Sequence, residues 1–142
     1  MKGQSIPDSE HVARYCKAST IENSAVQATA FMLRTGEEYL SVNWLENLNC
    51  PDRESAISAL QNLYSRKLNR VGTTARIAIL NVGAFRAKVA QESPGMRQLR
   101  VLHEPITPED PTHSGIYDIA PDDEIIAELI AQTILETHFA KI

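Results

Sequence analysis

The 142-residue chain carries 43% hydrophobic and 23% charged side chains and a formal net charge of −4. This length suits one domain with its own core, and the composition excludes wholesale disorder. No apolar run approaches the roughly 20 residues of a membrane-spanning helix.

The opening residues MKGQSIPDSEHV hold no apolar secretory segment. The two cysteines, Cys16 and Cys50, are too few for a disulfide framework and lack C-x-x-C spacing. A reducing cytoplasm with no membrane attachment is therefore expected. Cys16 reads as a small core residue.

Residues 1–10, polar and containing Pro7, form an extended lead-in to a single domain over 11–142. His11 to Cys16 alternates like a short strand. Lys17 to Ser24 is turn-like. Ala25 to Leu33 is a second strand candidate and Tyr39 to Val42 a third. A hairpin around Arg34-Thr35-Gly36-Glu37 would join these two. Trp44 to Leu48 suits one helical turn, stopped at Cys50-Pro51.

Residues 52–67 form the clearest helix of the first half. Ala56, Ile57, Leu60, Leu63 and Tyr64 recur at helical spacing, with Asn49 or Asp52 to cap it. Ala75 to Val82 reads as a central strand. In Gly83 to Gln91, Phe85, Ala87 and Val89 alternate, so strand and short helix compete. Gln98 to His103 is the last strand, ended by Pro105 and Pro108. Residues 122–138 read as one amphipathic helix bearing Ile125, Ile126, Leu129, Ile130 and Ile134. His138 sits where the helix dipole favours a cation. This order predicts an α+β domain with about five mostly antiparallel strands and two main helices, 52–67 and 122–138.

Charge is segregated along the chain: −3 over residues 1–52, +7 over 53–100 and −8 over 101–142. Either the basic middle packs against the acidic end, or it offers a face to nucleic acid or an acidic partner. Arg66, Lys67 and Arg70 carry the second alternative, together with Arg76, Arg86, Lys88, Arg97 and Arg100.

The turn-rich segment LHEPITPEDPTHSGIY gathers the reactive groups. His103 and Glu104 point to opposite faces of a strand. Asp110 and His113, three apart in a proline-bounded loop, can converge, with His103 or His11 brought in by the fold. A His/His/Asp set suits a divalent ion, but no metal spacing is met, so no metal or other cofactor is expected. Histidine also suits acid–base chemistry, with Arg14 or Arg100 holding an anionic substrate. Ser114 lacks a nucleophile elbow. In the competing structural reading, Asp110 and Thr112 close turns and His113 bonds a backbone carbonyl.

Trp44 reads as a core anchor whose indole N–H finds an acceptor. The alternative is a partner-facing hot spot rimmed by Glu37, Glu38 and Glu46. Walker, Rossmann, zinc-finger and kinase signatures are missing. The runs GEEYLSVNWLE and HEP…DPTHSGIY look like segments of small bacterial proteins, a resemblance that brings no activity with it.

The leading expectation is a protein-binding accessory subunit of a bacterial assembly. A small hydrolase or phosphoester-processing enzyme built on His103, Asp110 and His113 is the alternative. Nucleic-acid binding through residues 53–100 is the third.

Overall fold

The computed structural model describes residues 2–142. In chain order the elements are β1 (His11–Cys16), β2 (Ile21–Glu22), β3 (Ala25–Val26), β4 (Leu40–Trp44), α1 (Arg53–Lys67), β5 (Arg76–Asn81), α2 (Val82–Glu92), β6 (Arg100–His103), β7 (His113–Tyr117), α3 (Glu124–Ala131) and β8 (Glu136–Phe139). Six strands form one sheet in the order β6-β7-β4-β1-β5-β8, every neighbouring pair antiparallel. β2 and β3 make a separate small hairpin whose turn residues, Asn23 and Ser24, both take positive φ. The domain is α+β, as the element order implies, with one more sheet strand and one more helix than the sequence suggested.

Helices cover both faces of the sheet. On one face, Ala56, Ile57, Leu60, Leu63 and Tyr64 of α1 pack on Ala13, Ile77 and Ile79. On the other, Phe85 and Val89 of α2 and Ile126, Leu129 and Ile130 of α3 pack on Val12, Leu40, Val42, Leu80 and Ile116. β5 is buried on both sides, which accounts for its unbroken apolar run IAIL over residues 77–80. Residues 3–6 extend along the outer edge of β6. The Ile6 amide donates to Val101 and the His103 amide to Gln4, so the lead-in satisfies an otherwise open edge.

Two sequence expectations are corrected and one open alternative is decided. Ala25 to Leu33 is not a strand, and no hairpin joins it to β4. Only Ala25–Val26 pairs, after which Ala28–Phe31 forms a 3-10 turn. Ala30, Phe31 and Leu33 are buried in the core beside the apolar face of α3, which outweighs extended pairing. The ambiguous segment after β5 is helix α2. Asn81 ends β5 and accepts the Ala84 amide, so the strand turns directly into the helix, burying Val82, Phe85 and Val89.

The other correction is at the end of the chain. The helix placed at 122–138 stops at Ala131, and Glu136–Phe139 becomes β8 against β5. Periodicity over 122–138 cannot register that β5 has an unpaired edge, whose backbone groups β8 satisfies.

Two predictions follow from packing. A Cβ at Gly115 would land inside the Tyr39 ring, which lies over β7. We expect Gly115→Ala to destabilise the domain by about 1–3 kcal/mol in urea unfolding, as overpacked sites do.

Burial pushes the Cys16 thiol from its ordinary 9.0 up to about 12. The unfolded chain therefore ionises first. This contribution to stability is whole below pH 9 and is lost as pH rises toward 12. Burial raises Tyr64 as well, adding to the same alkaline slope. Cys16→Ala should flatten the decline of unfolding free energy between pH 8 and pH 10.5; an unchanged slope would refute the assignment.

Candidate functional site

β1 and β4 pair over only two positions, Val12↔Trp44 and Ala13↔Asn43. Beyond these, Arg14 to Cys16 continue on β5 alone, and Leu40 to Val42 continue on β7 alone. The sheet is thus split in its middle. The split opens a cavity of about 310 Å³ lined by Arg14, Tyr15, Ser41, Asn43, Lys67 and His113, with the 3-10 turn around Ala30 on one side and α1 on the other. That volume is at the small end of the range for ligand pockets.

Arg14 spans the gap. Its Nε donates to the Ala30 carbonyl (2.9 Å) and its Nη1 to the Ser41 carbonyl (2.8 Å), an oxygen left without a β1 rung. Burial lowers the affinity of its guanidinium for a proton, but an arginine stays charged. Among the described residues no carboxylate lies within ion-pair distance of Arg14. Lys17, Arg34 and Lys67 also line the cavity, against a single acid, Glu37. The space therefore favours an anion.

Asn43 organises the floor. Its Nδ2 donates to Asp110 Oδ1 (2.8 Å) and Thr112 Oγ1 (3.0 Å), and its Oδ1 accepts the Tyr64 hydroxyl (2.9 Å). A carboxylate only accepts, so the amide nitrogen must face Asp110. Asp110, 1% exposed, binds Lys67 Nζ at 2.5 Å through its other oxygen. A loop closed by the reciprocal backbone bonds of Ile106 and Asp110 carries this carboxylate beneath β4.

His113 lies in β7, opposite Asn43, rather than in a loop. Its Nδ1 is 3.0 Å from the Glu104 carbonyl and its Nε2 is 3.3 Å from Ser41 Oγ. A carbonyl cannot donate, so Nδ1 holds the proton in the neutral ring and Nε2 accepts from the Ser41 hydroxyl. The ring also packs against Tyr39, centroids 5.7 Å apart.

The residues expected to carry chemistry fall in different places. The His113 amide donates to the Asp110 carbonyl, but their side chains have different partners, Asn43 and Lys67 for Asp110 and Ser41 and the Glu104 carbonyl for His113. His103 pairs with Ser114, one residue out of phase with His113, and so faces the opposite side of the sheet. Its Nε2 lies 2.8 Å from the Pro111 carbonyl and its ring meets Trp44 edge-on. His11 is held by Glu46 at the start of β1 (2.6 Å). Ser114 is fully buried and donates to the Thr112 carbonyl. Of the two arginines considered as substrate anchors, Arg14 shares the cavity with His113, whereas Arg100 pairs with Asp118.

Trp44 is 7% exposed and donates to Glu10 Oε1 (2.6 Å). Glu37 lines the cavity and also accepts the Arg34 amide, while Glu38 and Glu46 are exposed. Arg66 and Arg70 are exposed near the end of α1. Sequence reading overlooked Ser41. The signal was in β4, where Leu40, Val42 and Trp44 are buried in one core and thereby turn Ser41 and Asn43 to the other face.

Among the described residues no group of three or more His, Cys, Asp or Glu side chains is placed to hold a metal ion, and no helix is long and apolar enough to cross a membrane. Comparison with known proteins finds no matching family model, no matching curated protein and no matching solved structure.

Removing one partner of the Lys67–Asp110 pair leaves a buried carboxylate partly uncompensated. Lys67→Met should cost about 2 kcal/mol, less than a fully buried pair because Lys67 reaches solvent. The double variant with Asp110→Asn should be less destabilised than the sum of the singles. Additive urea-unfolding energies would show that the pair is not coupled.

Proposed function

We propose that the protein binds a small phosphate-bearing molecule in the cleft between β1 and β4, as the phosphoester-processing reading of its sequence anticipates. The carrying observation is Arg14, a charged group seated in the cleft with carbonyl oxygens but no carboxylate as partners. A guanidinium suits phosphate because its planar N–H groups match the anion's oxygens. Lys17 and Arg34, exposed at the cavity wall, draw an anion inward. Two free cysteines, one buried, are in keeping with a reducing cytoplasm.

The accessory-subunit reading draws on a different place. β8 is an outer strand of the sheet, and Leu135, Phe139 and Ile142 near it are exposed. That edge suits strand addition by a protein partner. The nucleic-acid reading keeps Arg66 and Arg70. However, Arg53, Arg86, Lys88 and Arg100 of the basic segment are paired with acids.

Calorimetric titration with inorganic phosphate, pyrophosphate and a nucleoside monophosphate at low salt tests the cleft. At least one should bind saturably and stabilise the fold by about 2.7 kcal/mol at a hundredfold excess over its Kd. Arg14→Gln should weaken that binding at least tenfold. If none of the three binds, the proposal fails.

A further inference from the structure

Ser41 and His113 have the geometry of a nucleophile and its base. The neutral ring presents its Nε2 lone pair to the Ser41 hydroxyl because the Glu104 carbonyl holds the proton on Nδ1. The 3.3 Å separation is at the long end of hydrogen-bond reach. Arg14 Nη1 lies 2.8 Å from the carbonyl of Ser41 itself, so a charged donor stands beside the nucleophile. All three residues line one cavity.

We infer that Ser41 is a catalytic nucleophile that takes a phosphoryl group from a phosphoester, with His113 as general base and then general acid. This inference rests on the phosphate-binding reading of the cleft. As Ser41 Oγ attacks phosphorus, its proton passes to His113 Nε2. The Oγ–P bond forms and the bond from phosphorus to the ester oxygen breaks. His113 returns the proton to the departing alcohol. Water then attacks the phosphoserine, giving a proton to His113; the Oγ–P bond breaks, and Ser41 regains its proton. The net reaction is phosphoester plus water to alcohol plus phosphate. Arg14 holds the phosphoryl oxygens as charge shifts onto them.

The test is labelling by a fluorophosphonate, which captures an activated serine as the Oγ–P bond forms and fluoride leaves. Intact-mass spectrometry and peptide mapping should find one adduct, on Ser41, lost in Ser41→Ala. It should form at least a hundredfold more slowly in His113→Gln, the low end for removing a general base. Ser114→Ala, altering the buried serine on the opposite face, should label normally. Pyrophosphate titration of each variant verifies that the cleft is intact. Ser41→Thr serves as a second probe should the alanine variant misfold, and its labelling should be slowed. An adduct elsewhere, or none on protein that still binds pyrophosphate, overturns the nucleophile while leaving the binding site standing. Loss of both labelling and phosphate binding in the native protein overturns both readings.

Discussion

After Ala13 and Asn43, β1 and β4 stop pairing, and every feature of the cleft depends on that parting. Had the ladder continued, backbone hydrogen bonds would fill the space between Arg14 and Ser41. Instead each strand keeps its other neighbour, β5 for β1 and β7 for β4. The Ser41 carbonyl would be left without a partner, at a cost of about 1–3 kcal/mol for a buried group. The Arg14 guanidinium removes that cost and ties the opposite bank to Ala30. The same side chain thus satisfies two backbone acceptors and places a positive charge inside the split.

Asn43 stands at the point where the strands part. Its amide joins α1 through Tyr64, the 104–112 loop through Asp110 and Thr112, and the sheet through its own backbone. Networks of this sort are stable when every member is satisfied and costly when one is missing. Here Asp110 has Lys67 and Asn43, Tyr64 has Asn43, and Asn43 uses both ends of its amide. The polar groups of the cleft floor are thus mutually satisfied.

Segregated charge is resolved in part by contacts distant in sequence. Arg53 meets Glu136, Lys67 meets Asp110 and Arg100 meets Asp118, each joining the basic middle to the acidic last third. Hydrogen bonding from Arg100 holds the Asp118 carboxyl below its usual range. Two elements account for where sequence reading of the fold failed. The Ala25–Leu33 run is mostly apolar, broken only by Gln27 and Thr29, so periodicity does not separate a strand from a turn buried beside α3. The end of the chain continues a helical pattern past Ala131 because Ile134 falls at helical spacing, and only the free edge of β5 makes Glu136–Phe139 extended.

The sequence by itself determined the α+β class, α1 with Asn49 or Asp52 as its cap, the central strand β5 and the concentration of polar chemistry near Asp110 and His113. These depend on local periodicity, capping and turn residues, which neighbouring side chains specify. Only the tertiary structure decided that His103 faces away from His113, that Arg14 joins His113 while Arg100 does not, and that Ser41 is the serine His113 meets. Those outcomes depend on strand register, and a one-residue change in register exchanges the faces of every side chain on a strand. Register is set by the pairing of β4 with the sequence-distant β7 and of β6 with β7 across the intervening loop, so no single-strand pattern contains it.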